Sequence, residues 1–160
     1  MNQIKKVIVF LIIFVAITGN LLAQLKITST LVENKINPLG VSLKQLHFSW
    51  ELDAKETNQY QTAYQLVIAS TAEKLNAGIY DVYNTAFVKS KQSVLIDYTG
   101  KQLKPAQTYY WRVKVWDKNN KPSIWSHTQQ FTTGLFSTTD WSNAKWIGYE
   151  PFNDSMLLVP

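Results

Sequence analysis

After Leu25, apolar residues recur at every second position through most of the chain, the spacing of half-buried strands rather than of helices. The clearest run is Leu46-His47-Phe48-Ser49-Trp50-Glu51-Leu52. It puts Leu46, Phe48, Trp50 and Leu52 on one face and His47, Ser49 and Glu51 on the other. A slip of one residue would expose four large apolar side chains, so the register of this strand is firmly set. Tyr64, Leu66 and Ile68 alternate likewise with Gln65, Val67 and Ala69, and Val94-Leu95-Ile96 makes a shorter strand ahead of a Thr99-Gly100 turn. Tyr109, Trp111, Val113 and Val115 form the inward face of a long strand whose outward face is Tyr110, Arg112, Lys114 and Trp116.

Turn chemistry separates these runs: Asn37-Pro38-Leu39-Gly40, then Asp53 to Asn58, then Thr99-Gly100, then Lys118-Asn119-Asn120-Lys121-Pro122. Only Thr71-Ala72-Glu73-Lys74-Leu75-Asn76 reads as a helical turn, capped by Ser70 or Thr71 and stopped by Gly78. The pattern predicts an all-β fold: about seven antiparallel strands with one short helical insertion, over about 110 residues, the layout of an immunoglobulin-like sandwich. The sequence holds no internal repeat.

Composition narrows the chemistry. With 46% apolar and 17% charged residues, and with 7 Phe, 6 Trp and 8 Tyr in 160 residues, the chain can fill one ordinary core and is not intrinsically disordered. Zero cysteines exclude a disulfide scaffold, thiolate zinc and any cysteine nucleophile. His47 and His127 are the only histidines, so a three-histidine zinc site cannot form, and neither metal nor cofactor is expected. Without cysteine, the Trp-on-disulfide core of true immunoglobulin domains is out of reach. Trp50 stands instead on the second strand, and Leu103-Lys104-Pro105 leads four residues later to Tyr109. This resembles a fibronectin type III domain, and the resemblance gives Tyr109 the tyrosine-corner role, its hydroxyl returning to nearby backbone.

At the amino terminus, Lys5 and Lys6 precede an unbroken apolar run from Val7 to Ile17, followed by Thr18-Gly19-Asn20 and a small Ala23. Residues 1–23 read as a secretory signal peptide cleaved before Gln24, the run being shorter than the roughly 20 residues that cross a bilayer. The competing reading is an uncleaved anchor. Formal charge is +5, partly owed to Lys5 and Lys6, and the remaining lysines are scattered, so neither nucleic acid nor, after cleavage, a membrane is an expected partner. The expected layout is a sandwich over residues 24–134, a connector over 135–148, and the start of a second β domain over 149–160, where Met156-Leu157-Leu158-Val159 resembles an interrupted strand.

Catalytic motifs are missing: there is no G-x-S-x-G elbow, no phosphate-binding glycine loop and no H-E-x-x-H. Asp117-Lys118-Asn119-Asn120 starts like a calcium loop but has Pro122 and Thr128 where the glycine and the acid belong, and reads as a hairpin turn. Glu51 and Asp97, beside apolar strands, are the best-placed acids, yet both read as solvated, as do His47 and His127. No catalytic residue is assigned. The outward stripe Tyr110, Arg112, Lys114 and Trp116 is the one constellation left, either a glycan platform of rings and donors or a surface covered by another domain. Ser123-Ile124-Trp125-Ser126 matches half of the W-S-x-W-S box of cytokine receptors.

Taken in order, Asn37-Pro38-Leu39-Gly40, Phe48-Ser49-Trp50, Gln61-Thr62-Ala63-Tyr64-Gln65, Tyr110-Trp111-Arg112-Val113-Lys114-Val115-Trp116-Asp117, Ser123-Ile124-Trp125-Ser126, Phe131-Thr132-Thr133-Gly134-Leu135 and Asp140-Trp141 leading to Lys145-Trp146-Ile147-Gly148 resemble the amino-terminal region of bacterial α-L-rhamnosidases. His47 departs from the arginine expected there, and Ala86 and Lys91 from Gly and Asp. The resemblance implies a noncatalytic fibronectin-like domain of an exported enzyme that hydrolyses terminal α-L-rhamnosides, its catalytic acids lying on later domains. It implies structural roles for Trp50, Tyr109 and Trp111, and the enzyme's downstream domains as partner, with rhamnose-containing glycans as a second candidate. The alternative is a stand-alone secreted module that binds glycan or protein through the Tyr110 to Trp116 face.

Overall fold

The computed structural model describes residues 25–42, 46–142, 144–145 and 147–148. The apolar run from Val7 to Ile17, the Ala23 cleavage point, Trp146 and the Met156 to Val159 segment lie outside the described residues. Two sheets enclose the core. One has the order β1 (Lys26–Val32), β2 (His47–Asp53) and β6 (Ile96–Asp97). The other runs β4 (Tyr83–Asn84), β3 (Ala63–Ala69), β7 (Thr108–Trp116) and β8 (Gln129–Thr132), with β5 (Val88–Lys89) also paired to β3. All these pairings are antiparallel, giving the expected sandwich. Among the described residues eight strands stand where the pattern predicts about seven, because β4 and β5 are two short pieces along one edge of β3.

The alternation read from sequence is realised where strands are long. Phe48 and Trp50 of β2 and Tyr109, Trp111, Val113 and Val115 of β7 are buried between the sheets. Phe48 meets Trp111 edge-on at 4.7 Å and Phe131 at 5.8 Å, and Trp50 meets Tyr64 at 5.2 Å. Trp50 also needs a partner for its indole N–H. Buried Gln61 accepts it at 2.8 Å, while its own amide nitrogen donates to the Ser90 and Gln92 carbonyls at 3.1 and 2.8 Å.

Three details depart from simple alternation. Val67 and Ala69 face away from the core of the sandwich yet are fully buried, because Leu75 of helix α1 (Ala72–Asn76) packs over them. Thr71 caps that helix by accepting from the Lys74 N–H. Gly78, at φ +76, closes it as the Gly78 and Ile79 N–H groups donate back to Leu75 and Lys74. Ser49, expected on the solvent side of β2, is buried, and its hydroxyl accepts from the Leu95 N–H at 3.0 Å. Of the predicted strand Val94-Leu95-Ile96 only Ile96 joins the ladder; Leu95 lies at φ +54 and its side chain, like that of Val94, is exposed.

The ends of the sandwich are tied by backbone. Tyr109 forms the tyrosine corner, its hydroxyl accepting from the Lys104 N–H at 2.9 Å. After β1 the chain crosses to the second sheet, where Val41 bridges Thr133 in parallel: Val41 N–H donates to Thr132 and Gly134 N–H donates to Val41, both at 3.0 Å. Any Cβ on Gly134 would sit 3.2 Å from the Gly40 carbonyl oxygen, so the close approach favours glycine.

Trp50→Ala should cost about 3 to 5 kcal/mol, since it empties the centre of the core and orphans Gln61. Tyr109→Phe should cost about 1 to 3 kcal/mol through the unsatisfied Lys104 N–H. Urea melts of both variants check these values, and unchanged midpoints would refute the packing described.

Candidate functional site

The outward face of β7 carries the predicted stripe, and its geometry begins with a strand substitute. Beyond Trp111 the β8 ladder ends, and residues 123–126 take its place beside β7. Ser123 and Ser126 N–H groups donate to the Val115 and Val113 carbonyls, both at 2.8 Å. In return the two serine hydroxyls accept from the Val115 and Val113 N–H groups, both at 3.1 Å. Hydroxyls thus do the work of ladder carbonyls, and half-buried Trp125 between them packs over the outer face of the sheet.

Trp125 lies between the stripe's two cations: the Arg112 guanidinium is 4.7 Å and the Lys114 ammonium 4.3 Å from its ring centre. Arg112, the chain's one arginine, also donates to the Leu75 carbonyl at 3.0 Å and the Tyr80 hydroxyl at 3.3 Å, tying β7 to the end of α1. Each cation over an aromatic face is worth about 0.5 to 2 kcal/mol. Tyr110 packs with the cluster under α1, and Trp116 meets Phe87 edge-on at 4.9 Å. All four stripe residues are half-buried by the chain itself; one terminal nitrogen of Arg112 makes both internal hydrogen bonds, while its buried Nε has no hydrogen-bond partner among the described residues. Phe87 and Ile124 remain exposed beside them.

A second cluster was not legible in the sequence. His47 stands between two carboxylates: Nδ1 is 3.1 Å from Glu33 Oε1, Nε2 is 3.1 Å from Asp97 Oδ1, and the His47 backbone N–H also donates to Glu33 at 2.6 Å. The ring, within hydrogen-bond distance of both acids, ties the turn after β1 to β6. Residues 33, 47 and 97 are far apart in sequence and only the β1-β2-β6 order brings them together. The other departures also find places. Ala86 occupies φ +53, a conformation that favours glycine, and the Lys91 ammonium lies 4.7 Å from the Tyr60 ring centre. Glu51 and His127 are exposed. Asp117 is buried and accepts from the Asn119 and Lys121 N–H groups, which makes its loop a hairpin turn. Among the described residues no group of His, Asp and Glu is placed to hold a metal, and no helix is long and apolar enough to cross a membrane.

Asp81 has the strongest electrostatic setting. Desolvation opposes its charge, but hydrogen bonds from the Lys74 ammonium at 2.6 Å and from the Ser70 hydroxyl and N–H at 2.7 and 2.9 Å, with the Lys74 charge, outweigh it. They hold the carboxyl well below the usual range.

A profile described as "Rha78A-like, N-terminal immunoglobulin domain" matches residues 27–137. An α-L-rhamnosidase of Formosa agariphila is 40% identical over 124 residues, which are 78% of this chain and 13% of the relative. One from Streptomyces avermitilis is 38% identical over 126 residues, 79% of this chain and 12% of the relative. Among solved structures, the α-L-rhamnosidase from Dictyoglumus thermophilum matches with a TM-score of 0.69 at 39% identity, covering 72% of this chain and 13% of that one. That of Streptomyces avermitilis, complexed with L-rhamnose, matches with a TM-score of 0.70 at 37% identity, covering 74% and 11%. The chain thus spans about an eighth of the relatives it matches.

Trp125→Ala removes both cation contacts and should cost about 2 to 3 kcal/mol, whereas Arg112→Lys, which keeps charge but not the fork, should cost about 1 kcal/mol. Urea melts that leave Trp125→Ala at the wild-type midpoint would show that the face is not internally held. For Asp81 the folded-state pKa is depressed, so its stabilisation is full above the ordinary carboxylate pKa and fades as pH falls below about 4. Wild type should therefore lose its advantage over Asp81→Asn between about pH 4 and pH 2, read as converging melting temperatures.

Proposed function

The chain belongs to the Rha78A-like N-terminal immunoglobulin domain family, and from that premise we propose that it serves as the noncatalytic amino-terminal sandwich of an exported enzyme hydrolysing terminal α-L-rhamnosides. The observation that carries this reading is the match of the whole sandwich, residues 27–137, to a small leading part of much longer rhamnosidases.

The acids agree with it. Glycoside hydrolysis needs two carboxyl groups about 5 to 9.5 Å apart across a sugar-sized space, one of them protonated. Where Glu33 and Asp97 converge, the His47 ring fills the space between them and engages both. Asp81 is held ionised, and Glu51 projects from the outer face of β2.

Attachment to the rest of the enzyme is assigned to the connector and to the Tyr110 to Trp116 face. The connector starts in a fixed turn, where the Asp140 carboxylate accepts from the Phe136 and Ser137 N–H groups at 2.7 and 2.9 Å. Those bonds also lower its pKa. Leu135 and Phe136 are exposed there, as are Phe87 and Ile124 on the face, and these side chains await cover. Export rests on Lys5, Lys6, the Val7 to Ile17 run and Ala23.

Expressed from Met1 in a secreting bacterium, the chain should be recovered starting at Gln24 and should not turn over aryl α-L-rhamnosides. A chimera with residues 25–137 in place of the matching part of the Formosa agariphila enzyme should hydrolyse them. Turnover by the chain alone, abolished by Glu51→Gln or Asp97→Asn, would overturn the reading.

A further inference from the structure

Where the edges of the two sheets face each other, between β6 on one side and β4 and β5 on the other, the sandwich opens into a cleft of about 530 Å³. The opening has a local cause. The edge strand beside β3 is broken between Asn84 and Val88 by a bend with Ala86 at φ +53, and at the break the Thr85 hydroxyl, not a carbonyl, accepts from the Leu66 N–H at 2.9 Å. Such interruptions commonly re-aim edge residues beside binding sites.

The lining combines rings, aliphatic surface and neutral polar groups. Ile96 and Val88 supply apolar surface, while Tyr83, its ring tilted against that of Tyr98 with centres 4.9 Å apart, holds its hydroxyl 2.7 Å from that of Thr99. The one charged side chain at the cleft, Asp97, is already paired with His47. Tyr64 is only 7% exposed, with its ring against Trp50. Its hydroxyl makes no hydrogen bond to another described residue, although burial, and then Tyr83, raise its pKa and keep it protonated. Tyr64 lines the cleft, so its hydroxyl is available to a partner there. The cleft leaves room beside it for a ligand hydroxyl.

From this cleft we infer a binding site for one neutral sugar unit, its less polar face against Ile96 and Val88 and its hydroxyls toward Tyr64, Tyr83 and Thr99. The size lies in the range of small-molecule sites, and the paired charge of Asp97 favours an uncharged ligand. A deoxy sugar, with a methyl group for the apolar surface, suits it best. The choice of L-rhamnose as probe rests on the function proposed above; the cleft itself does not.

The test is NMR titration of the chain with millimolar L-rhamnose, with Tyr64→Phe and Val88→Trp as variants. The first keeps the ring on Trp50 and removes only the hydroxyl; the second fills the cleft, and melting curves confirm that each is folded. Saturable shifts centred on Tyr64, Tyr83 and Ile96, weakened about fivefold to tenfold by Tyr64→Phe and abolished by Val88→Trp, are expected. No saturable shift, shifts indifferent to both variants, or shifts confined to the Tyr110 to Trp116 face would overturn the inference. Because the chimera reads rhamnoside hydrolysis independently, an active chimera with a silent titration would reject the cleft alone.

Discussion

A sandwich without a disulfide must be held by what lies between its sheets, and here that is a wedge of rings. Phe48 and Trp50 come from one sheet, Trp111, Tyr109 and Phe131 from the other, and Phe48 touches both Trp111 and Phe131. Their value lies in area and shape together, since large rings meeting edge to face fill the space a disulfide would otherwise bridge. Rings also bring polar atoms inside, and the two buried indoles fare differently. Trp50 has Gln61, which in turn fixes the carbonyls of Ser90 and Gln92 and so holds the long crossover against the core. Trp111 Nε1 is buried with no hydrogen-bond partner among the described residues. The core therefore spends part of its hydrophobic gain on an unmet donor.

What the sequence made legible follows from distance along the chain. The faces of β2 and β7, the Thr71 cap, the Gly78 stop and the Tyr109 corner each depend on residues within a few positions of one another, so period and spacing reveal them. The rest depends on residues tens of positions apart. His47 reads as a lone surface histidine until β6 brings Asp97 beside it, and Ser49 reads as solvent-facing until Leu95 folds back over it. Two-residue strands such as β4, β5 and β6 carry no period at all, so the open edge they form leaves no trace in the alternation.

The outward face of β7 shows how residues legible in the sequence acquire partners within the chain that the sequence does not show. Rings beside cations look like a platform for a ligand, but the same chemistry satisfies itself when another ring arrives from nearby in the chain. Trp125 arrives because Ser123 and Ser126 use their hydroxyls as ladder acceptors. The half W-S-x-W-S match is thus a statement about closing a sheet edge rather than about a receptor. An edge with its N–H groups occupied is also a poor template for another chain.

The parallel bridge between Val41 and Thr133 has a mechanical consequence. Its hydrogen bonds join the crossover after β1 to the segment that leads straight into the connector. A pull applied through the connector, against an anchor on the amino-terminal side, acts along these two segments in opposite directions and loads the bonds in shear. Bonds sheared together share the force, whereas bonds peeled from an end fail one at a time. A load entering beyond Gly134 would therefore reach the ring core only after that clamp gave way.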